Sequence, residues 1–132
     1  MKIEPIAFKG EDERGATTEL DTLDRNGPYI LAYRNKGYWS GNHYHKGLSK
    51  FKNPEVVFLL QGKVLLETGE VEDGRISSID NQEIESPARI EIKPYIWHKL
   101  TFLEDACFFE LNSFKEGDRD TFRVVEQGKG LD

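Results

Sequence analysis

Apolar residues occur along this chain in short runs, at residues 3–8, 29–33, 56–60, 64–66, 88–92, 100–103 and 106–111. The runs are rich in β-branched and aromatic residues, and Ala88-Arg-Ile-Glu-Ile92 alternates with period two. Such alternation marks strands with one buried face. Between the runs stand turn formers: Asn26-Gly-Pro28, Gln61-Gly62, Glu72-Asp-Gly74, Asp80-Asn81 and Ser86-Pro87. No stretch of ten or more residues carries the period of an amphipathic helix. Many short strands at regular spacing predict an all-β sandwich or barrel. Residues 71–82 read as a hairpin tip and 21–27 as a polar loop. Residues 118–125 are expected to pack on the barrel or on a second subunit, and 126–132 to fray.

At 132 residues the chain fits one domain, 1–132, with a barrel core of about 6–114 and a tail at 115–132. A net charge of -6 argues against nucleic-acid partners, which need a basic footprint. No apolar run approaches the length of a membrane span. Residues 1–8 lack the apolar core of a signal peptide, so a cytoplasmic location is expected. The single cysteine, Cys107, lies in an apolar strand and reads as a reduced structural thiol rather than a nucleophile.

The chain holds three histidines. His43 and His45 form a His-x-His on an expected strand, where residues two apart share a face. His98 ends another expected strand, Ile92-Lys-Pro-Tyr-Ile-Trp-His98. Their placement resembles the two motifs of the cupins. The first motif reads Gly, five residues, His-x-His, three or four residues, Glu, six residues, Gly. Here Gly37, His43, His45, Glu55 and Gly62 match, except that nine residues separate His45 from Glu55. In the second motif, Pro-x-Gly-x-x-His, Lys93 and Tyr95 replace Pro and Gly, and His98 keeps its place.

Within the cupins the chain resembles the RmlC-like proteins of nucleotide-sugar metabolism: dTDP-sugar 3,5-epimerases, sugar 3,4-ketoisomerases and the cupin domain of capsule-synthesis proteins. Asp12-Glu-Arg-Gly15, Ser40-Gly-Asn-His-Tyr-His-Lys46 and residues 92–98 carry the likeness, which spans about residues 6–125. It implies a double-stranded β-helix, the cupin jelly-roll barrel, assembled as a homodimer. It also implies a small-molecule substrate of the sugar or nucleotide-sugar kind. Ser40 stands where the sugar-nucleotide enzymes usually carry an arginine that grips pyrophosphate, a role Arg34 or Lys36 could take over.

Three chemistries suit the constellation. The first is an isomerase or epimerase of a keto-sugar without a metal. There His43 or His45 acts as base, and a tyrosine, with Tyr38 or Tyr33 favoured over Tyr44, acts as acid. Arg34, Lys46, Trp39 and His98 would then bind substrate. The second is a divalent-metal cupin, with Mn, Fe, Ni or Zn on His43, His45, Glu55 and His98. Glu55 serves this reading only if it faces inward beside Val57, Leu59 and Gln61; a solvated strand-start residue is the alternative. The third is a noncatalytic cupin that holds a sugar against Trp39, Tyr95 or Trp97, although Trp97 reads more simply as core. The loop carrying Lys46, Lys50 and Lys52 is either a basic lid hinged at Gly47 or a solvated loop.

Overall fold

The computed structural model describes residues 1–124; the expected fraying of 126–132 lies outside the described residues. Eleven strands are described: β1 (Lys2–Pro5), β2 (Gly10–Asp12), β3 (Gly15–Thr17), β4 (Ile30–Arg34), β5 (Trp39–His43), β6 (Glu55–Gln61), β7 (Lys63–Glu72), β8 (Arg75–Glu85), β9 (Ala88–Ile92), β10 (Ile96–Phe102) and β11 (Ala106–Glu110). A 3₁₀ turn at Lys50–Lys52 and a short helix, α1 (Phe114–Arg119), complete them.

One sheet runs β1-β9-β6-β11-β4 and the other β5-β10-β7-β8, with β2 and β3 as a separate hairpin. All named pairings are antiparallel. The two sheets close on one another through their alternating apolar faces. Val57, Leu59, Ala88, Ile90, Ile92 and Phe108 of the first meet Val64, Leu66, Ile84, Leu100 and Phe102 of the second. This is the expected all-β jelly roll.

The structure differs from the sequence reading at two places. The barrel begins before residue 6, because β1 pairs with β9 from Lys2 onward. Residues 71–82 are not one long tip: β7 and β8 stay paired to Glu72 and Arg75, and only Asp73-Gly74 turn. The cause is local, since both turn residues adopt positive φ, 52° and 74°, and so close a two-residue loop. The segment after α1 takes the first of the two positions expected for it and packs on its own barrel. Tyr44 and Phe122 exchange backbone hydrogen bonds, and their rings lie 5.8 Å apart.

Gly62, the last residue of the first motif, has a structural task. It lies at φ 98°, and a Cβ there would stand 2.6 Å from the Asp105 carbonyl oxygen. Only glycine lets the β6–β7 turn approach the start of β11 this closely.

Candidate active site

The three imidazoles meet inside the barrel. His43 and His98 are partners in register across β5 and β10. The ring of His43 lies 4.8 Å from each of the other two, and His45 and His98 are 5.1 Å apart. Their ligating nitrogens all fall within 4.8 Å of one another. His45 and His98 are buried and His43 is partly so.

Glu55 faces inward, as alternation with Val57 and Leu59 requires, and is buried. Its Oε2 lies 3.2 Å from His45 Nε2 and its Oε1 3.4 Å from His98 Nε2. Burial works against the charge on Glu55. Lys52 and the two histidines overcome it and hold the carboxyl well below its ordinary value.

A cavity of about 330 Å³ opens beside this cluster. His43, His98, Glu55, Arg34, Ser40 and Glu110 are its polar lining. The volume falls at the small end of the range for small-molecule sites. Burial, then the neighbouring imidazoles, pushes His43 down to about 3, so it faces the cavity uncharged at neutral pH. Burial, then the charge of Glu55, pushes Glu110 up to about 7. His45 is buried and does not line the cavity.

A bulge decides which residues of β5 join the site. Between His98 and Lys99 the pairing slips, so that His43 opposes His98 but Gly41 opposes Lys99 and Ser40 opposes Leu100. Asn42 is the extra residue, and Gly41 and Asn42 sit at φ 89° and 66°. A Cβ on Gly41 would lie 2.8 Å from the His98 carbonyl oxygen. Simple alternation would have placed Trp39 on the face of His43. The bulge turns Ser40 inward instead and leaves Trp39 outside, half-exposed, with Lys99 Nζ 5.1 Å from its ring.

The remaining expected site residues are dispersed. Arg34 lines the cavity and donates from Nε to Ser40 Oγ at 2.8 Å. Tyr38 is 67% exposed and Tyr33 72% exposed, and neither lines the cavity. Tyr33 follows inward-facing Ala32 on β4 and so points out. Tyr44 is buried with Val71 and Trp97, away from the histidines, as expected. Lys46 Nζ sits 4.2 Å from the Phe122 ring centre. Trp97 packs in the core and donates from Nε1 to Asn42 Oδ1 at 3.0 Å.

Four residues with clear roles escaped the sequence reading. Lys52 is not a solvated loop lysine: it is buried, and its Nζ donates to Glu55 Oε2 at 2.5 Å. Its loop is pinned rather than free to swing. Arg25 donates to the carbonyls of Phe51 and Pro54 at 3.1 and 2.6 Å. The Asp120 carboxylate accepts from the backbone N–H groups of Lys46 and Ser49. Asp120 also offers its carbonyl oxygen to His45 Nδ1 at 2.5 Å. Glu110 was findable, since period two along β11 puts it on the inner face with Ala106 and Phe108. Nothing in the local sequence marks Lys52 or Asp120.

The donor set fits a divalent cation. His45 Nδ1 lies against the Asp120 carbonyl oxygen, and His98 Nδ1 against that of Ile96 at 3.0 Å. A carbonyl accepts only, so both Nδ1 atoms carry protons. This is the usual anchoring of metal-binding histidines. Both Nε2 atoms are buried without an aligned hydrogen-bond partner and face the same carboxylate. Lone pairs so placed need a cation between them, a proton or a metal ion.

No protein-family profile and no curated protein sequence matches the chain. Solved structures do. The QdtA 3,4-ketoisomerase from Thermoanaerobacterium thermosaccharolyticum, solved as a double mutant in complex with TDP, superposes with a TM-score of 0.67 at 23% identity. The match covers 92% of this chain and 86% of that one. The dTDP-4-dehydrorhamnose 3,5-epimerase from Sulfolobus tokodaii gives 0.59 at 18%, covering 92% and 82%. The capsular polysaccharide assembling protein CapF from Staphylococcus aureus gives 0.57 at 19%, covering 92% of this chain but only 33% of that one. Together with the closed pair of antiparallel sheets and the inward histidines, these likenesses establish that the chain has the fold of the RmlC-like cupins.

Proposed function

We propose that this chain is a small sugar isomerase or epimerase that moves a proton next to the carbonyl of a keto-sugar, with a nucleotide-sugar as substrate. The observation that carries this reading is the pairing of an uncharged imidazole, His43, with a carboxyl held near neutrality, Glu110, on one small cavity. The general base of such a reaction works best when its pKa lies near the working pH. Glu110 meets that condition and His43 does not. We therefore assign proton removal and return to Glu110, and to His43 the donation of a hydrogen bond to the oxygen that gains charge. This changes the assignment expected for His43, leaves His45 off the cavity, and gives the exposed Tyr38 no part in the transfer.

Arg34 supports the nucleotide part of the reading. Ser40 stands where related enzymes carry a phosphate-gripping arginine, and its hydroxyl accepts from Arg34 at 2.8 Å. The serine thus orients a guanidinium from the neighbouring sheet toward the same cavity. A fork of donors there suits a diphosphate. Structural neighbours point the same way: a QdtA variant has been solved with TDP-4-keto-6-deoxyglucose.

The reading is tested by incubating the protein with TDP-4-keto-6-deoxyglucose in heavy water and following loss of the ring proton next to the carbonyl by NMR. Wild type should exchange that proton. Glu110→Gln should slow exchange by about a hundredfold or more, the usual worth of a positioned base. Absence of exchange by the wild type, with and without added metal, would sink the proposal.

A second reading, a divalent-metal cupin, is favoured by the two anchored Nδ1 atoms and the converging Nε2 atoms. His43, His45 and His98 would hold the ion, with Glu55 beside them. When bound, such an ion supplies Lewis acidity to a substrate oxygen. Glu110 and Arg34 keep their roles in both readings, because they lie outside the ligand set; His43 serves one role or the other.

A further inference from the structure

The segment between His45 and Glu55 is longer than the cupin motif expects, and neither reading above uses the extra residues. Their main product is a lysine placed inside the barrel. The 3₁₀ turn at Lys50–Lys52 is capped by Ser49, whose Oγ accepts from Phe51 N at 3.2 Å and donates to Glu116 Oε1 at 2.7 Å. Arg25 and Asp120 tie the segment at its other points. The outcome is a Lys52 side chain only 5% exposed, with Nζ 2.5 Å from Glu55 Oε2. With its amide turned so that Oδ1 faces the ammonium, Asn112 accepts from Nζ at 3.3 Å and donates to the Ser113 carbonyl at 3.1 Å.

We propose that Lys52 is an internal counter-ion that keeps Glu55 from a bound metal, so that a divalent ion here is held by the three histidines alone. Lys52 takes Oε2 and leaves Oε1 3.4 Å from His98 Nε2. A divalent ion drawn onto Oε1 would be brought close to the ammonium in a dry pocket, where like charges repel strongly. The lysine cannot withdraw easily, because the turn that carries it is fixed from Arg25, Glu116 and Asp120. Glu55 therefore remains with Lys52 and acts on His45 and His98 through space. This inference rests on the cation-site reading of the histidines and leaves the proton-transfer reading independent.

The test is a double-mutant cycle on zinc affinity, measured by competition with a chromophoric chelator. Wild type, Lys52→Met, Glu55→Gln and the double variant are compared, with circular dichroism to confirm folding. The double variant, which removes both charges of the pair together, should keep the wild-type Kd within about threefold, since the carboxylate is not a ligand. Glu55→Gln alone should weaken zinc, because it leaves the ammonium unpaired beside the histidines. Lys52→Met should tighten zinc by about tenfold or more, because Glu55 is released to the metal, and the double variant should lose that gain. A weakening of about tenfold in the double variant relative to wild type, or no tightening by Lys52→Met, overturns the proposal. A crystal structure of the zinc-soaked wild type asks the same question without a substitution. Zinc on three imidazoles with Glu55 still on Lys52 supports the proposal; a bond from zinc to Glu55 refutes it. Failure of every variant to bind zinc also refutes it. Proton exchange measured in the presence of chelator would then stand or fall by itself.

Discussion

The inside of the barrel has two ends that are equally dry and held together by opposite means. Toward the end of β10, Phe102 stacks on Phe108 at 5.8 Å with rings nearly parallel, among Val64, Leu66 and Ile84. Toward its start, His98 meets His43, His45 and Glu55, and Glu55 in turn holds Lys52. Leu66 and His45 are each 1% exposed. In the apolar end every contact adds a little, and no residue depends on one partner. In the polar end each charge is tolerable only because of a specific neighbour. The largest expected effect follows from that difference. Glu55→Leu leaves the Lys52 ammonium buried without its carboxylate and should cost about 3–5 kcal/mol in urea unfolding. Adding Lys52→Met should recover most of the loss. A double variant no more stable than Glu55→Leu would show that the two ends are not held differently after all.

A substitution at the apolar end should behave additively. Leu66→Ala removes buried methyl groups and leaves a cavity, at a cost of about 2–4 kcal/mol. Leu66 does not line the cavity, so proton exchange per folded molecule should be unchanged. Coupling between Leu66→Ala and Lys52→Met in the same unfolding experiment should stay within about 0.5 kcal/mol, as for sites without shared partners.

Glu110 sharpens the contrast, because it lies at the polar end but titrates near neutrality. Its carboxyl is raised from 4.5 to about 7 by burial and by Glu55, while Lys52, His98 and Arg34 act in the opposite sense. Between those values the folded protein keeps a proton that the unfolded chain has released. This contribution to stability is therefore fully present below about pH 4.5 and is lost as pH rises through 7. Glu110→Gln cannot lose it. The stability difference between wild type and variant should shift by about 2–3 kcal/mol between pH 5 and pH 8, against the wild type at the higher pH. A constant difference across that range would remove the raised carboxyl, and with it the basis for choosing Glu110 as the base.

How much of this was readable in the sequence depends on regularity of the backbone. Where strands run straight, period two gave the correct face. Of the two directions open to Glu55, inward or solvated, the structure takes the one that period two with Val57 and Leu59 gives, and the same count along β11 places Glu110 beside Phe108. Where the backbone departs from regularity, the count fails. One bulge residue, Asn42, exchanges Ser40 for Trp39 at the cavity. The lysine that balances Glu55 comes from a loop whose conformation is set by Arg25, Glu116 and Asp120, all more than twenty residues away in sequence. No local pattern encodes such a contact. The barrel was legible because many strands repeat one signal; the charge balance of its site was not, because it depends on single long-range partners.

The smallest effects test the bulge itself. If β5 followed simple alternation, Trp39 would be in the cavity and Ser40 outside. With the bulge, Trp39→Ala touches only the outer surface and should leave TDP affinity unchanged within about twofold, at a stability cost of no more than about 0.5 kcal/mol. Ser40→Ala removes the acceptor that holds Arg34 Nε. The guanidinium then loses one hydrogen bond of orientation, worth about 0.5–1.5 kcal/mol, so TDP should bind roughly threefold to tenfold more weakly by calorimetry. Arg34→Lys keeps the charge but not the fork, and should weaken TDP by at least as much. The order of the three variants matters more than any one value. Trp39→Ala weaker than Ser40→Ala would place the tryptophan against the ligand and require a β5 register one residue away from the one described.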